Sequence, residues 1–219
     1  MKRNLVIVGL CLAGVIGLLS QQALSGDIAK EMRQPTPDEQ KAMMQEWMSL
    51  MEPSAGHKRL EPMIGEWDSV TKMWLGGPNM PPLENKGTCQ REWVLGGRFV
   101  LEKIQSDMMF PDMAGGGMKK FNFEGMSLSG YDNFRNMYVG NWVDNMGTQM
   151  LTYEGSCDPS GKVFTYYGEM DEPGLKVVGR MVKYVTRIID DDKHVMAMYD
   201  LHVGDDYKVM EVTYTRKKN

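Results

Sequence analysis

The sequence predicts an all-β protein, a closed antiparallel up-and-down barrel of about ten strands preceded by an N-terminal helix. Three observations lead there. From Glu66 onward the chain breaks into short runs rich in Val, Tyr, Trp, Phe and Thr, residues that suit a pleated, half-buried surface. Turn residues separate these runs at fairly regular intervals, and nearly every connection after Gly96 is hairpin-sized, so neighbours in sequence should be neighbours in space. A flat sheet of that many strands would expose two long edges and curl, whereas closure removes them.

Residues 1–25 read as a secretory signal. Lys2 and Arg3 form a basic start, positions 5–19 are apolar, and Ala23 and Ser25 carry the small side chains a signal peptidase reads. The apolar run is shorter than the roughly 20 residues a bilayer span needs. The protein is therefore expected in the periplasm or secreted, with Cys11 lost at cleavage.

Residues 26–54 form an extension built around an amphipathic helix. Thr36 can cap it, Pro37 suits the first helical position and Glu39 completes a capping box. Met44, Trp47, Met48 and Met51 then repeat at i, i+3, i+4 and i+7, and Pro53 ends the run. This stripe is expected to lie against another apolar surface. A second short helical segment, over 56–63, turns Leu60 and Ile64 inward and leads into the first strand.

Residues 55–217 are the barrel domain. Strands are expected near 66–74, 86–95, 97–105, 122–132, 136–143, 147–155, 162–170, 176–189, 194–201 and 207–216. Gly96-Gly97, Asp132-Asn133, Asp144-Asn145, Pro173-Gly174 and Gly204-Asp205 are among the turns between them. Residues 106–120 are rich in Met and Gly and lack periodicity, so they are expected to form a loop at a barrel mouth.

The formal charge of −4 becomes more negative once Lys2 and Arg3 are removed. This argues against a nucleic acid as partner and, after signal cleavage, against a membrane. Cys89 and Cys157 remain in a compartment that permits oxidation, and a disulfide or two separate thiols are both open. Oligomeric state is not legible.

Gly65-Glu66-Trp67 at the start of the first strand and Arg216 at the end of the last resemble the calycin superfamily, the lipocalins and fatty-acid-binding proteins. There the G-x-W and a late Arg pack together where the barrel closes, which implies the Arg216 guanidinium lying over the Trp67 indole. A longer series is similar to a lipocalin-like bacterial domain-of-unknown-function family, number 1579, over about residues 55–217. It comprises His57-Lys58-Arg59-Leu60, Gly65-Glu66-Trp67-Asp68, Leu95-Gly96-Gly97-Arg98-Phe99, Gly130-Tyr131-Asp132-Asn133, Trp142 to Thr148, Gly168-Glu169 and Met210 to Arg216. The resemblance implies a lipocalin-like fold and no particular activity. Ala197 departs from it, standing where the family usually has an acid.

Strand alternation places Tyr138, Trp142 and Asp144 on one face, as it does Thr165, Tyr167 and Glu169, and Val209, Glu211 and Thr213. If these faces point inward, the lumen is aromatic with a few acids and suits a small, partly apolar molecule. The candidate binding residues are then Tyr131, Tyr138, Trp142, Asp144, Tyr167, Glu169 and Glu211, with Trp67 and Arg216 closing the barrel. Outward-facing or mutually satisfied groups are the competing interpretation.

An enzymatic alternative would use Asp132, Asp144, Glu169 or Glu211 as the general acid or base of a lyase, isomerase or hydrolase. No nucleophile, metal motif or cofactor fingerprint accompanies them, so no catalytic residue, metal site or cofactor is assigned. His57, His194 and His202 lack zinc-ligand spacing. The 22 methionines invite copper(I), at Met108, Met109, Met113 and Met118 or at His194, Met196 and Met198, although Met more often fills gaps in cores. The leading expectation is a non-enzymatic barrel that binds a small molecule.

Overall fold

The computed structural model describes residues 34–112 and 115–218; the expected signal segment and Met113 lie outside them. Two units divide between Trp47 and Met48, inside helix α1 (Pro37–Leu50). The helix starts as its sequence dictates. The Thr36 N–H donates to Glu39 Oε2 at 2.8 Å and the Glu39 N–H donates to Thr36 Oγ1 at 3.4 Å, a closed capping box. None of its residues is buried, and Trp47 is 47% exposed. The stripe of Met44, Trp47 and Met48 is exposed, contrary to the expected burial.

The unit from Met48 holds α2 (Ala55–Lys58), a 3-10 turn at Glu61–Met63 and ten strands: β1 (Gly65–Met73), β2 (Leu83–Val94), β3 (Phe99–Pro111), β4 (Met118–Asp132), β5 (Met137–Asp144), β6 (Leu151–Cys157), β7 (Val163–Glu172), β8 (Val177–Asp190), β9 (Lys193–Asp200) and β10 (Lys208–Arg216). They form a closed antiparallel barrel in the order β1-β10-β9-β8-β7-β6-β5-β4-β3-β2. Each sequence-predicted strand has its counterpart. The mouth end carries the connections β1–β2, β3–β4, β5–β6, β7–β8 and β9–β10, and the other four lie at the floor.

One element differs. Residues 106–112 and 115–120 are the outer part of a long hairpin, paired from Phe99↔Gly130 out to Pro111↔Met118. Alternation is present there but is written in unusual residues. Ser106 and Met108 are buried while Asp107 and Met109 are exposed, so Met and Asp take the places of β-branched side chains. A cross-strand ion pair, Lys120 Nζ to Asp107 Oδ2 at 2.8 Å, runs along the outside.

Closure occurs at the floor, where Trp67 pairs with Arg216. The guanidinium carbon lies 4.1 Å from the centroid of the fully buried Trp67 ring. Arg216 also donates to three carbonyls, those of Ile64 (2.8 Å), Pro62 (2.9 Å) and Asp191 (2.8 Å). The Trp67 indole donates to Met63 O at 3.0 Å, so the residues before β1 are fastened from both sides of the seam. Gly65 makes this approach feasible. Its φ of +123° lies where side chains are strained, and a Cβ there would stand 2.7 Å from Arg216 Nη1. Gly65→Ala is expected to destabilise the barrel by about 2 kcal/mol, read as a lowered urea midpoint at unchanged slope; an unmoved midpoint would refute the packing described.

The rest of the floor is plugged from within. Leu60 packs with Val100, Tyr138 and Phe164, and the Tyr138 hydroxyl donates to Gly56 O at 3.0 Å. Ser54 caps α2, while its N–H donates to His57 Nδ1 at 3.0 Å. That acceptor role requires an unprotonated ring, consistent with burial, and secondarily the Arg98 charge, holding His57 below the usual histidine range.

Candidate functional site: the barrel lumen

The inner wall is set by parity from Trp67. Along β2 the inward positions are Asn85, Gly87, Cys89, Arg91 and Trp93; along β3 they are Val100, Glu102, Ile104, Ser106 and Met108. Arg91 and Glu102 stand opposite each other in register. They form a two-pronged ion pair, Nε to Oε2 at 3.1 Å and Nη2 to Oε1 at 3.2 Å. The remaining arm of the guanidinium, Nη1, donates to Nε2 of His194, 103 residues away. The guanidinium carbon lies 4.4 Å from the Tyr214 ring centroid.

His194 is stacked on Tyr214, with ring centroids 4.5 Å apart and planes at 14°, and meets Trp67 edge-on at 4.3 Å. An arginine always carries its protons, so the histidine nitrogen facing it must accept and the ring must be neutral. Burial first, then the charges of Arg91 and Arg216, push His194 down to about 2. Burial likewise raises the Tyr214 hydroxyl and the Cys89 thiol well above their ordinary values. The assembly is thus one charged pair embedded in neutral aromatics.

Above it lies a set of phenols. Tyr153 on β6, Tyr166 on β7 and Tyr184 on β8 face inward, with Tyr153 5.3 Å from Tyr166 and 6.1 Å from Tyr184 between centroids. Gly140 lets Tyr153 lie across β5, since a Cβ there would stand 2.6 Å from the ring. The Tyr153 hydroxyl is 3.2 Å from Ser127 Oγ. Burial pushes Tyr153 up to about 12 and Tyr166 and Tyr184 well above the usual phenol range, so all three are neutral hydrogen-bonding groups at ordinary pH. Glu102, Ile104, Ser129, Tyr153, Tyr166, Tyr184 and Met196 point inward yet are only partly buried. These side chains line the interior at mid-barrel.

The sequence-predicted residues divide. Tyr131, Tyr138, Trp142 and Asp144 face inward. Tyr138 is buried in the floor plug and Tyr131 lies beside it, with centroids 4.9 Å apart. Trp142 stacks on Phe123 towards the mouth at 6.3 Å, and its indole donates to Asp144 Oδ2 at 2.8 Å. The other Asp144 oxygen accepts from the Met146 N–H at 2.9 Å. Tyr167, Glu169 and Glu211 are corrected: they lie on the outer face. On β7 the inward set is Phe164, Tyr166 and Gly168, and on β10 it is Met210, Val212 and Tyr214. Tyr167 is 46% exposed, and Glu211 accepts from Lys208 Nζ at 2.7 Å. Asp132 holds a floor turn by accepting from the Phe134 and Arg135 N–H groups, each at 2.9 Å.

Cys89 and Cys157 are free thiols. Of the proposed copper ligands, Met108 is buried on the inner wall, Met109 and Met118 are exposed, and the His194 ring is enclosed by Trp67, Tyr214 and Arg91. His202 sits in an exposed turn at the mouth.

Sequence reasoning missed Arg91, Glu102, Tyr153, Tyr166, Tyr184 and Tyr214, and considered His194 only as a copper ligand. A usable signal existed in Cys89-x-Arg91-x-Trp93, a cation between two apolar residues of one strand face.

The family model described as "Protein of unknown function (DUF1579)" matches residues 52–216, well over half of the chain. The chain belongs to the DUF1579 family. The match begins just before α2 and ends at Arg216, so it takes in the floor plug and all ten strands of this DUF1579 barrel. Among solved structures, it is similar to Rv2717c from M. tuberculosis at 14% identity and a TM-score of 0.51, over 76% of this chain and 100% of that one. At that identity the likeness concerns the fold. It is also similar to the S-type phycobiliprotein lyase CPES from Guillardia theta, at 10% identity and a TM-score of 0.46, over 76% of this chain and 99% of that one. A de novo designed fluorescence-activating β-barrel matches at 10% identity and a TM-score of 0.37, over 72% of this chain and 95% of the design. No curated protein matches the chain in sequence.

Proposed function

We propose that this DUF1579 barrel is a non-enzymatic carrier that holds a small, partly apolar molecule in its lumen, working in the periplasm or outside the cell after export on residues 1–25. The observation that carries the reading is the inner wall itself. Neutral phenols and aliphatic side chains form most of it, a few polar groups are fixed in place, and the inward residues at mid-barrel are only partly buried. The carboxylates considered for acid or base catalysis support the non-enzymatic form of the reading. Asp144 is engaged by the Trp142 indole and the Met146 N–H, Asp132 by turn amides, and Glu169 and Glu211 lie outside.

A neutral apolar fluorophore, 1-aminoanthracene, tests it. The purified full-length product is expected to bind the dye saturably with enhanced, blue-shifted emission. Ile104→Trp fills the middle of the lumen from β3 and should weaken binding at least about tenfold, with the far-ultraviolet circular dichroism unchanged. Absence of saturable binding, or binding indifferent to Ile104→Trp in a folded variant, would sink the proposal. In the same preparation, a product released by osmotic shock and beginning at Gly26 is the result expected for export.

A further inference from the structure

The ladder between β2 and β3 is shorter than either strand. It stops at Gly87↔Ser106, although β2 stays paired to β1 as far as Leu83 and β3 stays paired to β4 as far as Pro111. Towards the mouth the two strands therefore part, and side chains bridge the parting. Ser106 Oγ donates to the Lys86 carbonyl at 2.8 Å, and the Met109 N–H donates to Asn85 Oδ1 at 2.9 Å. A shallow groove of about 400 Å³ crosses the outer face of this part of the wall, lined mainly by Lys86, Thr88, Gln105, Asp107, Asn122 and Glu124.

Asn85 is 4% exposed and faces the interior. Its oxygen is committed to Met109, which fixes the orientation of the amide and turns Nδ2 away from β3. That nitrogen is buried and has no hydrogen-bond partner among the described residues. Buried donors are rarely left so, because the protons forgo water without recompense.

We propose that Asn85 is a binding subsite: its Nδ2 donates a hydrogen bond to an uncharged acceptor oxygen, the carbonyl of a ketone, ester or amide, on the molecule held in the lumen. This rests on the lumen being a binding cavity. The charge of the acceptor follows from the surroundings. Beside Asn85 on the inner wall are Thr71, Gly87 and Met108, none of them cationic. The next inward cation along β2 is Arg91, six residues on and roughly 20 Å down the strand, where it is engaged by Glu102. A carboxylate at Asn85 would be buried without a counter-charge, whereas a carbonyl needs a single donor. The ligand then sits with its carbonyl end near the mouth and its apolar body among Tyr153, Tyr166 and Tyr184.

Two probes separate this from general apolar binding: 6-propionyl-2-(dimethylamino)naphthalene, a neutral ketone, and 6-propyl-2-(dimethylamino)naphthalene, which lacks the carbonyl. Asn85→Asp retains the oxygen that Met109 uses and replaces the free donor with a second oxygen. The full chain is expected to bind the ketone about tenfold more tightly than the propyl probe, and Asn85→Asp should abolish that difference while leaving the propyl probe unaffected. Should Asn85→Asp fail to fold, the side-chain amide resonances of Asn85 in the native chain decide: the ketone must shift them and the propyl probe must not. Equal binding of both probes, equal weakening of both by Asn85→Asp, or amide resonances unmoved by bound ketone would overturn the subsite and leave the lumen reading standing. If neither probe binds the native chain, both fall together.

Discussion

Glu102→Ala is expected to destabilise the protein by about 3–5 kcal/mol, the range for stripping one member from a buried ion pair. The side chains of Arg91 and Glu102 are only 9% and 16% exposed, so the guanidinium left behind could not regain water without opening the wall. Its remaining neighbours would be a neutral imidazole and the face of Tyr214, neither of which balances a full charge. The pair itself contributes far less than that loss, because burying both charges costs nearly what their attraction returns. Arg91→Met combined with Glu102→Leu should therefore recover most of the stability. Urea midpoints of the single and double variants measure this, and a Glu102→Ala protein within 1 kcal/mol of native, on the scale of an exposed pair, would mean that the cluster is wet and loosely held.

Acid should unfold this protein through His194. Its folded-state proton affinity is lowered, so below about pH 6.5 the unfolded chain takes up a proton that the folded ring refuses until near pH 2. The stability it contributes is complete above pH 6.5 and declines as pH falls, by about 1.4 kcal/mol for each pH unit. Between pH 6.5 and 4 this ring alone is expected to remove about 3 kcal/mol. His57, lowered in the same direction by burial, adds to the slope. His194→Gln retains an acceptor for Arg91 and removes the titration. Its stability should be lower near neutrality and much flatter from pH 6.5 to 4 in chemical denaturation; a profile parallel to the native one would rule out His194 as the sensor.

The architecture was largely legible because each hairpin announces itself locally. Turn chemistry at Asp132-Asn133 or Asp144-Asn145 needs no knowledge of the rest of the chain, and Gly65, Trp67 and Arg216 mark the two strands that must meet. The outer strand segments of this hairpin, 106–111 and 118–120, were concealed by composition, since their alternation runs through Met and Asp. The contents of the lumen were less legible for two reasons. On β7 both faces carry a tyrosine, so periodicity alone could not choose between Tyr166 and Tyr167, and attention to acids favoured the wrong side. On β10, Val212 and Tyr214 outweigh Glu211 in apolar bulk, the better guide to which side is dry. The inward place of Arg91 was legible on its own strand, but its meeting with His194 was beyond local reading, because β2 and β9 approach only after the ring has closed.

Nine of the ten strand pairings join segments consecutive in the chain, and one, β1 with β10, joins its two ends. The entropy of long-range loop closure is therefore concentrated in a single step of folding, and sequence-local hairpins can form before it. A molecule that breathes would open there. It would then present two long unpaired edges able to recruit strands from other copies, so the contact between Arg216 and Trp67 also stands between this protein and aggregation.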